Sequence, residues 1–343
     1  MKKYFSIVLL IIFSSLLFSC AKEKSEDNSE QKLEAFKAWM QKYHPDVPEF
    51  YEGVYVEWLE YGAEENKLYD GYWIKINYTG KLLDQSVYVT RNKELAKKLG
   101  IFSTSNYYAP EYLPYYPSTL DPENYPSTAN MTWAQAEVLR HMNEGDSVRI
   151  YTYADEGYRY GYSLLTGYAV TTASVTWSSS VITEMKLSEI IPDPFIHERN
   201  QLEDFVVNYM EMELDDYLEE GLYMKKTKEL PDADMVSEDA FVSIYYTGRL
   251  LDGFLFDTND KYTALENGTY DSSGEYGYFE FYPNQDADVI EGMLTAVLNM
   301  RYGEKATVAF LSKFGYGESG GGAAIPPYSP LWFDIHVLGP DDF

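Results

Sequence analysis

Most residue patterns in this chain that could do chemistry by a familiar route fail on their own terms. Gly315-x-Gly317-x-x-Gly320, with Asp334 19 residues after the first glycine, has the spacing of a loop that cradles a pyrophosphate. That chemistry needs the third glycine to open a helix. The run of glycines at 320–322, followed by Ile325-Pro326-Pro327, forbids one. The histidines His44, His141, His197 and His336 are scattered without metal-like spacing. The single cysteine, Cys20, excludes an intrachain disulfide and a cysteine zinc site. Carboxylates abound but form no Asp-x-Asp-x-Asp-Gly calcium loop, and Glu211 to Glu220 reads as a solvated helix face. What remains is a series of aromatic, glycine and acidic residues running from Tyr246-Thr247-Gly248 through Phe256-Asp257 to Gly315-Tyr316-Gly317 and Phe333-Asp334. By residue type alone, such an aromatic set in a β-rich domain is explained first by core packing.

The elements that would position these residues occur twice. Tyr78-Thr79-Gly80-Lys81-Leu82-Leu83-Asp84 recurs as Tyr246-Thr247-Gly248-Arg249-Leu250-Leu251-Asp252, at an offset of 168 residues. Met142 and Gly145 recur as Met300 and Gly303 at a shorter offset, and Tyr160-Gly161 as Tyr316-Gly317 at a shorter one still. An offset that holds and then shrinks means two copies of one domain with different loops, not a solenoid. A helix opens each copy: Leu202, Phe205, Val206, Tyr209 and Met210 form one apolar stripe, and Leu33, Phe36, Met40 and Tyr43 a sparser one. Strands are expected at Trp73–Tyr78, Phe241–Tyr246, Lys305–Phe310 and Leu331–Leu338. A further helix in each copy opens with capping-box chemistry, Thr132-x-x-Gln135 and Asp288-x-x-Glu291. One helix among about five strands with hairpin-length links is an α+β domain with an antiparallel sheet wrapped on the helix.

Composition agrees with a folded pair of domains. The 343 residues are 45% apolar and 17% aromatic, with 34 tyrosines. Asp plus Glu total 55 against 27 for Lys plus Arg, a formal charge of −28 that argues against nucleic-acid partners. It disfavours adsorption on anionic lipid through a basic patch as well. Lys2 and Lys3 precede a mostly apolar stretch from Tyr4 to Phe18, shorter than the roughly 20 residues a span needs, so it reads as a signal peptide. Leu17-Phe18-Ser19-Cys20 resembles a bacterial lipobox, which implies cleavage before Cys20 and lipidation of its thiol.

The second copy resembles the FKBP-type peptidyl-prolyl isomerases. It carries Tyr246-Thr247-Gly248, Asp252-Gly253-Phe254-Leu255-Phe256-Asp257, Val289-Ile290-Glu291-Gly292, Gly315-Tyr316-Gly317, Ile325-Pro326-Pro327 and Leu331-x-Phe333-Asp334 in the family's order. The resemblance implies two FKBP-like domains, an isomerase acting on X-Pro bonds without cofactor or metal, and proline-containing polypeptide clients. It implies a pocket lined by Tyr246, Phe256, Phe281, Val289, Ile290, Ile325 and Phe333, with Phe279 competing for the place given to Phe281. By the same resemblance Asp257 and Tyr316 orient substrate carbonyls, the Ile290 N–H is a further donor, and Phe256 belongs to the catalytic set. Met293 stands where the family usually has a tryptophan at the pocket floor, and the loop from Asn259 to Tyr278 is longer than the family norm.

The first copy departs further. Val89 occupies the place of Asp257, Trp133-Ala134 replaces Glu-Gly, and no Ile-Pro-Pro follows Tyr160-Gly161. A Tyr/Pro segment from Asn106 to Pro126 reads either as a decorative loop or as an exposed aromatic recognition surface. The expected organisation is a signal peptide (1–19), a lipidated tether (20–32), a degenerate FKBP-like domain (33–191), a helical linker (192–220) and an isomerase domain (221–343). The expected role is protein folding in a bacterial envelope, anchored by lipid, with the outer membrane favoured. The alternatives are a non-catalytic FKBP-fold chaperone and a surface lipoprotein whose first repeat binds a ligand.

Overall fold

The computed structural model describes residues 29–63, 67–116, 131–153, 179–284 and 289–342. The expected signal peptide, Cys20, most of the tether, residues 117–126 of the Tyr/Pro segment, Tyr160-Gly161 and Asp288 lie outside the described residues. The first domain follows helix α1 (Ser29–Tyr43) with strands β1 (Glu49–Tyr51), β2 (Val54–Glu60), β3 (Trp73–Leu82) and β4 (Val87–Thr90). Helix α2 (Lys93–Lys98), β5 (Glu111–Pro114), α3 (Trp133–Leu139), β6 (Ser147–Thr152) and β7 (Val181–Ile191) complete it. Helix α4 (Pro194–Asn208) then leads into β8 (Leu222–Lys228), β9 (Val242–Leu250), β10 (Leu255–Thr258), α5 (Lys261–Glu266) and β11 (Phe279–Phe281). The second domain ends with α6 (Glu291–Leu298), β12 (Lys305–Phe310) and β13 (Leu331–Val337).

The repeat is a repeat of topology. One sheet runs β1-β2-β6-β7-β3-β4 with β5 also on β3; the other runs β10-β9-β13-β12-β8 with β11 also on β9. Leaving out β1, the two orders are identical when β2 is matched to β8, and every strand pair is antiparallel. Registers match as well. Gly80 pairs with Val89 and Thr183, and Gly248 pairs with Asp257 and Phe333. Alternation along the strands explains which face is buried: Ile74 and Ile76, or Val242 and Ile244, point to a core completed by the apolar side of α3 or α6. The chain is therefore α+β, with two domains of one architecture.

Local chemistry sets the helix ends, with differences from expectation. Thr132 Oγ1 accepts the Gln135 N–H at 3.2 Å while Gln135 Oε1 accepts the Thr132 N–H at 2.9 Å, a full capping box. Its counterpart does not form around Glu291: the N-cap of α6 is Ile290, with no side-chain cap. Helix α1 runs over Ser29–Tyr43 and so takes in the end of the expected tether, with Glu30 in its first turn complementing the helix dipole. The linker is helical only over Pro194–Asn208, opened by Asp193, whose carboxylate accepts the Phe195 N–H at 2.9 Å. The acidic run is not a helix face. Glu211 takes a left-handed φ of 52°, and the exposed chain that follows turns back toward β8. Residues 106–116 of the Tyr/Pro segment are partly or fully buried rather than an exposed recognition surface.

Candidate functional site

In the second domain, β9, β10, β11, α6, β13 and the segment around Tyr316 converge on a cavity of about 110 Å³. Its lining is Tyr246, Phe256, Asp257, Phe279, Val289, Ile290, Met293, Tyr316 and Phe333. The strands bring distant residues together by register: Gly248 sits between Asp257 on β10 and Phe333 on β13. A Cβ at Gly248 would lie 2.6 Å from the Phe333 ring and 2.8 Å from the Phe256 ring, so only glycine lets both rings close over the strand. These rings meet edge to face at 5.7 Å, and Phe256 meets Tyr316 edge to face at 6.4 Å.

The cavity grades from apolar floor to polar mouth. Phe333 and Met293 are buried, whereas Asp257, Tyr316 and Phe279 are exposed at the rim. Tyr246 donates its hydroxyl to Asp257 Oδ2 at 2.8 Å. Burial, and then the Asp257 carboxylate, push the Tyr246 phenol well above its ordinary range; the same two causes raise that of Tyr316. Both hydroxyls therefore stay protonated as donors. None of the four histidines lines the cavity. Chemically, the arrangement is an apolar slot with one carboxylate acceptor and two phenolic hydroxyls at its mouth, suited to binding and orienting a neutral group.

Two of the expected lining residues are placed elsewhere. Phe281 is buried in the core, its ring stacked 5.4 Å from that of Phe279 on the same face of β11, so Phe279 stands at the cavity mouth and Phe281 lies behind it. Ile325 is buried behind the Tyr316 segment, paired with Gly321 through backbone hydrogen bonds. Two supporting residues were not expected. Phe310 lies beneath the floor, stacked 5.7 Å from Phe333, and its place at the inward end of β12 was a readable signal. Asn259 is buried; its Oδ1 accepts the Tyr246 N–H at 2.8 Å and its Nδ2 donates to the Ile244 carbonyl at 2.9 Å. Asn259 lies just past the end of β10, where no sequence pattern marked this role.

Among the described residues, the matching region of the first domain carries different side chains. Tyr88 lies where Phe256 would, buried over Gly80, and Val89 replaces the carboxylate. Gln135 takes the place of Met293 and donates to Thr183 Oγ1 at 3.0 Å, with Thr183 in the register position of Phe333. Tyr78 donates to Glu111. Among the described residues, polar pairs thus stand at positions that line an apolar slot in the second domain. A larger cavity, about 560 Å³, lies at the junction of the two domains and α4, lined by residues such as Tyr107, Tyr112, Phe205 and Tyr328. It too carries a phenol–carboxylate pair, Tyr107 and Asp252 at 2.7 Å, but Phe256, Phe333 and Tyr316 do not line it.

Residues 233–338, which hold every residue of the smaller cavity, match the family model for the FKBP-type peptidyl-prolyl cis-trans isomerases. The chain is 38% identical over 99 residues to the macrophage infectivity potentiator of Trypanosoma cruzi, covering 29% of this chain and 42% of that protein. It is 34% identical over 115 residues to a probable FKBP-type peptidyl-prolyl cis-trans isomerase of Haemophilus influenzae, covering 34% of this chain and 41% of that protein. The chain thus spans less than half the length of these relatives. Among solved structures, the three FKBP domains of wheat FKBP73 align with 84% of this chain and 94% of theirs, at 19% identity and a TM-score of 0.30. Residues 233–338 form an FKBP-type domain.

Proposed function

We propose that this FKBP-type domain catalyses cis/trans isomerisation of X-Pro bonds in polypeptides, and that the first domain, of the same architecture, does not. The observation that carries the reading is the apolar slot closed by Phe256, Phe333 and Met293 with the Tyr246–Asp257 pair and Tyr316 at its mouth. An X-Pro bond turns slowly because rotation breaks amide resonance, a barrier of roughly 18–20 kcal/mol. The twisted transition state has lost resonance and part of its charge separation, so a slot that strips water from the imide favours it over either planar isomer. About 5–6 kcal/mol of such preference gives roughly four decades of rate. The proline ring would enter between the aromatic walls. The Tyr316 hydroxyl would donate to a substrate carbonyl, while the Asp257 carboxylate, acceptor only, would face the positive carbon end of the dipole and hold the Tyr246 ring in place.

The same reading extends to location. Cys20 behind an apolar leader supports a lipid-anchored protein assisting folding in a bacterial envelope, with proline-containing segments of other polypeptides as clients. The test of the reaction is cis/trans exchange of a prolyl tetrapeptide with the full chain. Acceleration that disappears in Phe256→Ala supports the reading, and no acceleration by the unaltered chain defeats it.

A further inference from the structure

The segment bearing Tyr316 and the β9–β10 turn that leads into Phe256 and Asp257 are both held by the first domain. Tyr107 touches each of them. Its hydroxyl donates to Asp252 Oδ2 at 2.7 Å and its ring lies 5.0 Å from that of Phe254, two residues before Phe256. Its backbone N–H donates to the Ala323 carbonyl at 3.1 Å. Ala323 sits inside the Gly321–Ile325 hairpin, where a Cβ at Gly321 would meet the Tyr316 ring at 3.1 Å. Farther along, Tyr328 takes a left-handed φ of 50° and donates its N–H to the Gly317 carbonyl at 3.1 Å. The Tyr328 ring packs edge to face on Trp73 of the first domain at 5.0 Å and shares a buried cluster with Tyr112. A non-glycine residue held at positive φ persists only where its surroundings fix it.

Tyr107 is itself fixed from within the first domain. The buried Arg91 guanidinium donates to the Tyr107 carbonyl at 3.0 Å and to the Ala109 carbonyl at 2.8 and 2.9 Å. It also lies 3.8 Å from the Glu111 carboxylate, which accepts from the Tyr78 hydroxyl. In the second domain the residue at this place in the repeat is Asn259, whose side chain serves its own sheet. The first domain therefore spends the matching position on presenting Tyr107 to its neighbour.

We propose that the first domain is an intramolecular brace for the second domain's site, with Tyr107 its chief positioning residue and Trp73 and Tyr112 its second grip. It holds Tyr316 against Phe256 and Asp257, so its role is to keep the slot in register. The inference rests on the isomerase reading for its effect on rate, but its structural content can be measured without it.

The test is made in the full chain. Tyr107→Ala is expected to lower kcat/KM on a prolyl tetrapeptide by about 5- to 20-fold, the loss falling in kcat rather than in KM. Amide exchange at Gly321 and Tyr328 is expected to rise at least about ten-fold, while exchange across β12 and β13 stays as in the parent chain. Tyr107→Phe keeps the ring and the backbone bond, and is expected to recover kcat/KM to within about three-fold. Tyr108→Ala, which removes a ring stacked on Phe102 inside the first domain, is expected to leave both readouts unchanged. Tyr107→Leu, which keeps apolar volume in the junction, carries the same two measurements should Tyr107→Ala fail to fold. Unchanged exchange at Gly321 and Tyr328 overturns the brace whatever the rate does. A parent chain without isomerase activity overturns the proposed reaction, and the exchange data still decide the brace.

Discussion

Phe256 and Phe333 meet over Gly248, yet their removal should have different consequences. Phe333 is buried and stacked on Phe310, so Phe333→Ala is expected to cost about 3–5 kcal/mol of stability as well as activity. Phe256 is only partly buried on a short strand near the mouth, so Phe256→Ala should lose activity with a smaller fall in Tm. Kinetics and melting curves on both variants check the contrast. A pH profile tests the phenols. Tyr246 and Tyr316 have folded pKa values raised above the ordinary 10.0, so each favours folding fully below that value. That contribution disappears as pH climbs through the raised folded values. With no histidine in the lining, kcat/KM is expected to be flat from about pH 6 to 9 and to fall only in the alkaline range. A step near pH 6.5 in the profile would contradict this assignment.

At the scale of elements, what could be read from the sequence followed period and local capping. Alternation marked β9, β12 and β13, and the Thr132-x-x-Gln135 box forms as written. Thr132→Ala is expected to destabilise the first domain by about 1 kcal/mol, measured by denaturant unfolding of the full chain. The linker was legible only in part. An apolar stripe continuing to Met210 gave no sign that the helix ends at Asn208, because Met210 is buried by tertiary packing after the helix has stopped. The site was legible as a set of residues because its ordered motifs resemble a known family. The placing of Phe281 and Ile325 behind the cavity lining was not, since Phe279 and Phe281 share one face of a three-residue strand and Ile325 sits in a hairpin of glycines. The bracing role of the Tyr/Pro segment was equally hidden, because contacts between domains leave no periodic trace.

For the whole molecule, one architecture used twice carries two different interiors. The first domain keeps the strand order and the register at Gly80, but among the described residues it carries the polar pairs Gln135–Thr183 and Tyr78–Glu111 at the matching positions. Val89→Asp is therefore expected to restore no turnover there, which can be checked in a chain whose second site is disabled by Phe256→Ala. It would instead bury a carboxylate on a fully packed strand and lower Tm. Cys20→Ser is expected to release the protein from the membrane fraction, since a lipid-modified cysteine would supply the attachment. Unchanged membrane recovery would point to another attachment.

The most direct measurement compares prolyl isomerisation by the full chain, by a double variant Tyr246→Phe with Asp257→Ala, and by a first-domain variant Tyr88→Phe. Catalysis by the full chain is expected, with a loss of at least about ten-fold in kcat/KM for the double variant and a rate within about two-fold of the parent for Tyr88→Phe. Full activity surviving in the double variant, or activity that falls with Tyr88→Phe instead, would contradict the placing of the reaction in the second domain.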